Sequence, residues 1–397
     1  MSDTSRATLH APTRLDASAL FATFAGFCAS LVAIGLARFA YTPLIPALIQ
    51  AHWFNAADTV TLGAANFAGY LLGAMSGRRI AHRLGNRAAL RMLMLLASVA
   101  FLACAYPLST YWFFLWRCLS GIAGGAIMVL VASTILPQIP LARRGMVGGI
   151  IFLGLGIGIA ASGTVIPLLL TWGLRETWFG LGALSLLLTG LSWFGWPPSP
   201  APELPAVAGE VPKAALPVLG RLYLQYAANA LGIVPAMVFL VDYIARGLGE
   251  GTQAGANYWV LYGFAAIVGP LVAGTMTDRL SSALAYRIAL VLQALALLGL
   301  SLSHHPLVLV GATVIMGAFT PGVVPLVLGR IQSALPNQPV AQRTAWSKAT
   351  TGFALAQVAG GYGYSWLFSH SGEDYSRLFA CGAVALVLAL CAERRTS

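Results

Sequence analysis

Long apolar runs, separated by short polar connections, dominate the chain. They cover about 18–48, 59–79, 89–106, 110–136, 146–170, 177–196, 218–243, 255–276, 284–303, 306–329, 346–368 and 376–392. A helix needs roughly 20 apolar residues to cross hydrocarbon, and only helices or closed barrels satisfy their own backbone there. The pattern predicts an all-α polytopic membrane protein of twelve transmembrane helices. Between Pro197 and Pro217 helical periodicity stops in a Pro-rich segment with Glu203, Glu210 and Lys213, which reads as a linker. The expected organisation is a tail at 1–17, a six-helix bundle at 18–196, a linker at 197–217, a second bundle at 218–392 and a tail at 393–397.

The two halves look like copies displaced by 196 residues, a shift that superposes Gly73 on Gly269, Arg83 on Arg279, Gly121 on Gly317 and Gly156 on Gly352. Parallel repeats of this kind place a central site between pseudo-symmetric halves near the bilayer midplane.

Composition agrees with the pattern. The chain is 58% hydrophobic and 9% charged over 397 residues, too little polar surface to cover a soluble globule of this size. The net charge of +11 would suit nucleic acid, yet the basic residues are scattered over short loops and form no basic domain, so no nucleic-acid partner is expected. Their positions report topology. Arg78, Arg79, Arg83, Arg87, Arg143, Arg144, Arg279, Arg330 and Arg394 fall on one side of the alternation, and only Arg175, Arg246 and Arg377 fall on the other. The positive-inside rule then puts both termini in the cytoplasm. Cys28, Cys104, Cys118, Cys381 and Cys391 all sit in apolar runs without metal-ligand spacing, so neither disulfide nor metal is expected. No small-residue cleavage site follows the first run, which argues against a removable signal peptide.

The chemistry gathers on a few polar residues inside apolar runs. Gly35-Leu-Ala-Arg-Phe-Ala-Tyr-Thr-Pro-Leu-Ile-Pro46 puts Arg38 in the first span, with Tyr41 and Thr42 on the same helical side and Pro43 and Pro46 leaving earlier carbonyls without donors. An intramembrane arginine costs roughly 2.5–3.5 kcal/mol and is by default a functional site, the alternative being an arginine snorkelling from the helix end. A breakable helix end is expected there. This string resembles the hallmark of the YbfB/YjiJ-like branch of the major facilitator superfamily of secondary transporters.

Other motifs fit that resemblance. The loop Gly77-Arg-Arg-Ile-Ala-His-Arg-Leu-Gly-Asn-Arg is similar to the superfamily's loop between the second and third helices, with a second copy at Gly274-Thr-Met-Thr-Asp-Arg-Leu-Ser. The resemblance implies a conformational latch built from Gly77, Arg83, Gly85, Arg87, Gly274, Asp278 and Arg279. His82 stands where the family carries an acid, and Ser281 replaces a glycine. In the fourth span, Arg117 shares a face with Gly121, Gly124 and Gly125, so it points into the bundle, either to a substrate or to carbonyls. Gly154, Gly156, Gly158 and Gly163 make the fifth span a close-packing helix.

In the second half, Gln225, Tyr226 and Asn229 open the seventh span, with ligand binding and ordinary interhelical bonds as equal readings. Asp242 is the acid placed to lie within a span, either as a proton carrier or in a rim ion pair with an arginine. Lys348 and Gln357 are nine residues apart, half a turn out of phase, and Lys348 is the one expected in the cavity. The substrate site expected from sequence is Arg38, Tyr41, Arg117, Gln225, Tyr226, Asn229 and Lys348, with Asp242 for proton coupling. With no P-loop, HExxH or nucleophile and base constellation, an enzyme is not expected, and no cofactor is called for. The expected function is proton-linked movement of a small organic anion by a monomer in the bilayer, through alternating access. Proton-coupled efflux of drugs or metabolites is the alternative.

Overall fold

The computed structural model describes residues 16–140, 143–198 and 211–392, apart from the side chains of Gly145, Asp278 and Pro339. The terminal tails and most of the expected linker, with Glu203 and Glu210, lie outside the described residues. Among the described residues the apolar runs become twelve long helices: α1 (Ala17–Gln50), α2 (Ala56–Leu84), α3 (Asn86–Cys104), α4 (Thr110–Ile135), α5 (Arg144–Leu170), α6 (Leu174–Ser192), α7 (Leu216–Asp242), α8 (Gly251–Arg279), α9 (Ser282–Leu302), α10 (Pro306–Ala334), α11 (Pro339–His370) and α12 (Tyr375–Cys391). Eight of them are long and apolar enough to cross a membrane by length and composition. Of the others, α12 is apolar but has 17 residues.

Several ends differ from the hydropathy estimate for one reason. Apolar runs stop where charges begin, but helices continue into the polar region, so α2 reaches Leu84 and α11 begins at Pro339. Side-chain caps set other ends, with Asn55 accepting from Asp58 N, Ser109 from Trp112 N and Ser281 from Leu284 N. Gly85 alone joins α2 to α3 at φ 80°, ψ 148°, a conformation side chains other than hydrogen rarely adopt.

The internal repeat is visible atom by atom. In the α2–α4 crossing Gly73 lies on the Ile122 backbone and Gly121 on the Asn66 carbonyl. In the α8–α10 crossing Gly269 lies on Ala318 and Gly317 on the Tyr262 carbonyl. Each contact is the other's shifted by 196 residues. Backbones approach this closely only where Cβ is missing.

The two halves meet along α1–α7, α2–α11 and α5–α8. Thr42 donates to the Met237 carbonyl at 2.7 Å, and Trp259 Nε1 donates to Ser162 Oγ at 3.0 Å. Gly163 lies on Val260, Gly156 on Ile267, and Gly361 on Phe67 and Ala64. The repeat partner of Gly156 behaves differently, since a Cβ on Gly352 would meet open space.

The break expected at Pro43 and Pro46 is corrected. Helix continues through both prolines to Gln50, and the irregular stretch lies earlier, as a π-helical segment at Leu31–Leu36 followed by a turn at Ala40. Pro43 falls in the first turn of the renewed helix, where its missing N–H costs little. The π segment sits where Gly35 packs against Gly158 of α5.

Substituting Gly73 or Gly269 by Val puts methyl groups into a facing backbone and should lower the thermal midpoint in detergent, by overpacking worth about 1–3 kcal/mol or more. Gly220→Ala, where a Cβ meets open space, should leave the midpoint unchanged or raise it slightly.

Candidate functional site

The segment after the π turn delivers Arg38 to the half interface. Its Nη2 donates to Gln357 Oε1 of α11 at 2.6 Å, a bond that joins the two halves. The guanidinium lies 4.7 Å from the centre of the Phe67 ring and 4.8 Å from that of Tyr70, both on α2. Tyr262 of α8 is close enough to act on it electrostatically, and its hydroxyl is bonded to Thr320 of α10. Such cation–ring contacts are worth roughly 0.5–2 kcal/mol each and offset part of the desolvation of the charge. Arg38 Nε is buried with no hydrogen-bond partner.

Arg117 stands behind Tyr41, inside the first half, and is 3% exposed. Its guanidinium covers the Tyr41 ring at 4.2 Å, and Nη1 donates to the Ala37 carbonyl at 2.8 Å. Tyr41 is fixed by its hydroxyl donating to the Thr59 carbonyl at 2.7 Å and by packing on Trp178. Asn66 of α2 donates to Ser120 Oγ at 3.0 Å, and Ser120 donates to the Arg117 carbonyl. Arg117 thus holds the backbone one residue before Arg38. Its Nε is also buried without a partner. Arg38 and Arg117 line one void of about 10 Å³ with Tyr41, Phe67 and Met237, room for about one water. Among the described residues no carboxylate pairs with either arginine.

The remaining sequence candidates are placed as follows. Tyr226 is buried beside the site, tilted against Phe353 at 4.4 Å and stacked on Trp346 at 6.1 Å, both on α11. Gln225 and Asn229 turn into the second half, where Gln225 bonds the Ala389 carbonyl and Arg330, and Asn229 bonds Gln293. These are interhelical hydrogen bonds. Because α11 is one unbroken helix, it presents Gln357 to Arg38 and leaves Lys348 exposed on the opposite side, in line with exposed Leu355 and Trp366. Gln357, and not the Lys348 expected from sequence, therefore faces the interface. Asp242 is fully buried and gripped by Arg246 on the next turn, with Nε and Nη2 each 2.6 Å from a carboxylate oxygen. Tyr375 donates to the same carboxylate at 2.6 Å, and Glu373 joins through Arg246. The rim ion pair is the arrangement found.

At the arginine-rich ends, Gly77 is buried against Ala126, Gly274 faces open space, and Arg83, Arg87 and Arg279 are exposed without an ion pair among the described residues. Asp278's side chain lies outside the described residues. All five cysteines are free, with Cys28 and Cys104 buried and Cys381 and Cys391 exposed. Among the described residues no group of side chains could hold a metal.

Two six-helix halves meeting at a polar site are the architecture of a secondary transporter of the major facilitator type. The chain belongs to the family described as the uncharacterised MFS-type transporter YbfB, whose model matches residues 30–394. It is 25% identical over 330 residues to a gallate transporter of Pseudomonas putida, covering 71% of this chain and 74% of that one. The partially occluded, inward-open structure of the xylose transporter XylE from E. coli matches with TM-score 0.73 and 16% identity, over 96% of this chain and 98% of that one. A bacterial homologue of the lysosomal transporter Spinster, in an inward-facing and unoccupied structure, matches with TM-score 0.73 and 14% identity over 96% of both chains. The family consists of transporters and not enzymes.

Asp242→Asn and Arg246→Gln should each lower the thermal midpoint, since each leaves a charge-assisted bond unmade at about 1.5–3 kcal/mol. Together they should cost little more than either alone, which a double-mutant cycle in detergent measures.

Proposed function

We propose that this protein moves a small organic anion across a bacterial inner membrane by alternating access, as a monomer with both termini cytoplasmic. One observation carries the reading: two guanidinium groups share a void at the half interface, each with a buried Nε lacking a partner and, among the described residues, no carboxylate beside it. An uncompensated buried charge is costly, and an anionic substrate would supply the missing acceptor. Arg38 is the more accessible of the two, part-buried where Arg117 is buried. Arg117 adds its field from behind and holds Arg38's backbone. The rings of Phe67, Tyr70, Tyr226 and Tyr262 give the rest of the ligand a flat, aromatic surround, which suits a carboxylate carried on a ring. The relation to a gallate transporter supports that choice. Drug efflux would favour an acid in the cavity, and among the described residues none lines it.

In this proposal residues 18–196 and 218–392 are the two moving bodies. The positive-inside rule assigns the arginine-rich ends to the cytoplasm. Proton linkage falls to Asp242, the buried acid at the outer end of α7. Protonating it would release Arg246 and Tyr375 and loosen α7 from the start of α12.

In proteoliposomes, Arg38→Gln should reduce uptake of a radiolabelled aromatic carboxylate about 10- to 100-fold, the worth of a lost charge-assisted contact. Lys348→Gln should change it less than twofold, and Gln357→Leu should weaken it. Uptake by Arg38→Gln at the normal rate would remove the anion reading. Asp242→Asn should abolish the response to a pH gradient, and an unchanged response would dismiss its role.

A further inference from the structure

A second basic cavity lies far from the transport site, at the arginine-rich end between the start of α3 and the segment that follows α6. It measures about 480 Å³ and is lined by Leu84, Asn86, Arg87, Arg91 and Pro198, among others. Arg87 and Arg91 are one helical turn apart, so both guanidinium groups lie on one side of α3, where like charges at this spacing repel. They also stand at the positive end of the helix, which disfavours cations. The usual remedies are missing, since Gly85 offers no capping side chain and the first turn holds no acidic residue. Arg91 is held in place by Nε and Nη2 donating to the Trp193 carbonyl at 2.9 and 2.6 Å, with its guanidinium 4.6 Å from the centre of that residue's ring. Arg87 is exposed and has no ion pair among the described residues.

Such a concentration of positive charge in a cavity calls for an anion, and the surroundings indicate its source. Leu84, on the cavity wall, is 45% exposed, and Phe194, beside Trp193, is 74% exposed. A cavity that is basic within and apolar at its margin, at the end of two spans, stands at the level where headgroup meets acyl chain. We propose that it is a binding site for the phosphodiester headgroup of an anionic membrane lipid, with Arg87 and the remaining N–H groups of Arg91 on the phosphate and the acyl chains along Leu84 and Phe194. The lipid would sit between α3 and α6, on the outside of the first half, separate from the transported anion.

The test uses the purified full-length protein in detergent, titrated with phosphatidylglycerol, with phosphatidylcholine of the same chain length, or with inorganic phosphate, and bound lipid counted by native mass spectrometry. Phosphatidylglycerol should bind at least fivefold more tightly than phosphatidylcholine. Arg87→Gln should remove most of that difference, Arg91→Lys should reduce it, and Arg79→Gln, an exposed arginine outside the cavity, should keep it. Thermal midpoints of the variants within a degree or two of the parent confirm that the fold is intact. Equal binding of the two lipids, an unaltered preference in Arg87→Gln, a loss equally large in Arg79→Gln, or displacement of phosphatidylglycerol by millimolar phosphate would each overturn the assignment to a lipid site.

Discussion

The structure depends on placing a positive charge where hydrocarbon surrounds the protein. Arg38 enters the half interface without a carboxylate, and its surroundings are built to tolerate it: two α2 rings against its guanidinium, the amide of Gln357 across the interface, and Arg117 holding the preceding backbone. None of these partners neutralises the charge. They lower its cost and leave one edge unsatisfied, which is how a binding site differs from a structural ion pair. The contrast lies within the same chain, where Asp242, Arg246, Tyr375 and Glu373 satisfy one another at the rim. One cluster is complete and locks; the other is incomplete and can receive.

Much of the fold was legible because hydrophobicity must persist for the full thickness of a bilayer. Runs of apolar residues gave the helices, and a constant displacement of 196 residues gave the repeat, down to which glycine meets which carbonyl. The site was only half legible. Arg38 and Arg117 stand out as charges in apolar runs, but Phe67 and Tyr70 look like any aromatic residues of a membrane helix, and the sequence does not say which α2 face meets the partner half. Asn66, an amide four residues before Tyr70, was the available signal. On α11 the spacing showed that Lys348 and Gln357 face opposite ways, and formal charge favoured the wrong one for the interface. A lysine at the arginine-rich end gains by reaching water, while an amide in mid-span has to find a partner inside the protein. Gln225 and Asn229 illustrate the same rule from the other direction, since amides near a helix start can be satisfied wholly within one half.

The two halves are similar without being equivalent. Gly156 packs on α8, while a Cβ on its counterpart Gly352 would meet open space. The site is correspondingly one-sided. Both arginines come from the first half, while the second contributes an amide, hydroxyls and rings.

The π-helical stretch Leu31–Leu36 gives this arrangement a mechanical property. A π turn holds one residue more than an α turn, and that surplus can be expelled only by screwing the following helix about its axis. One residue of slip corresponds to about 100° of rotation. Were α1 to wind into regular α-helix, Arg38 would swing roughly a quarter-turn away from Gln357, and the charge would face a different wall of the protein without any change in the length of the span.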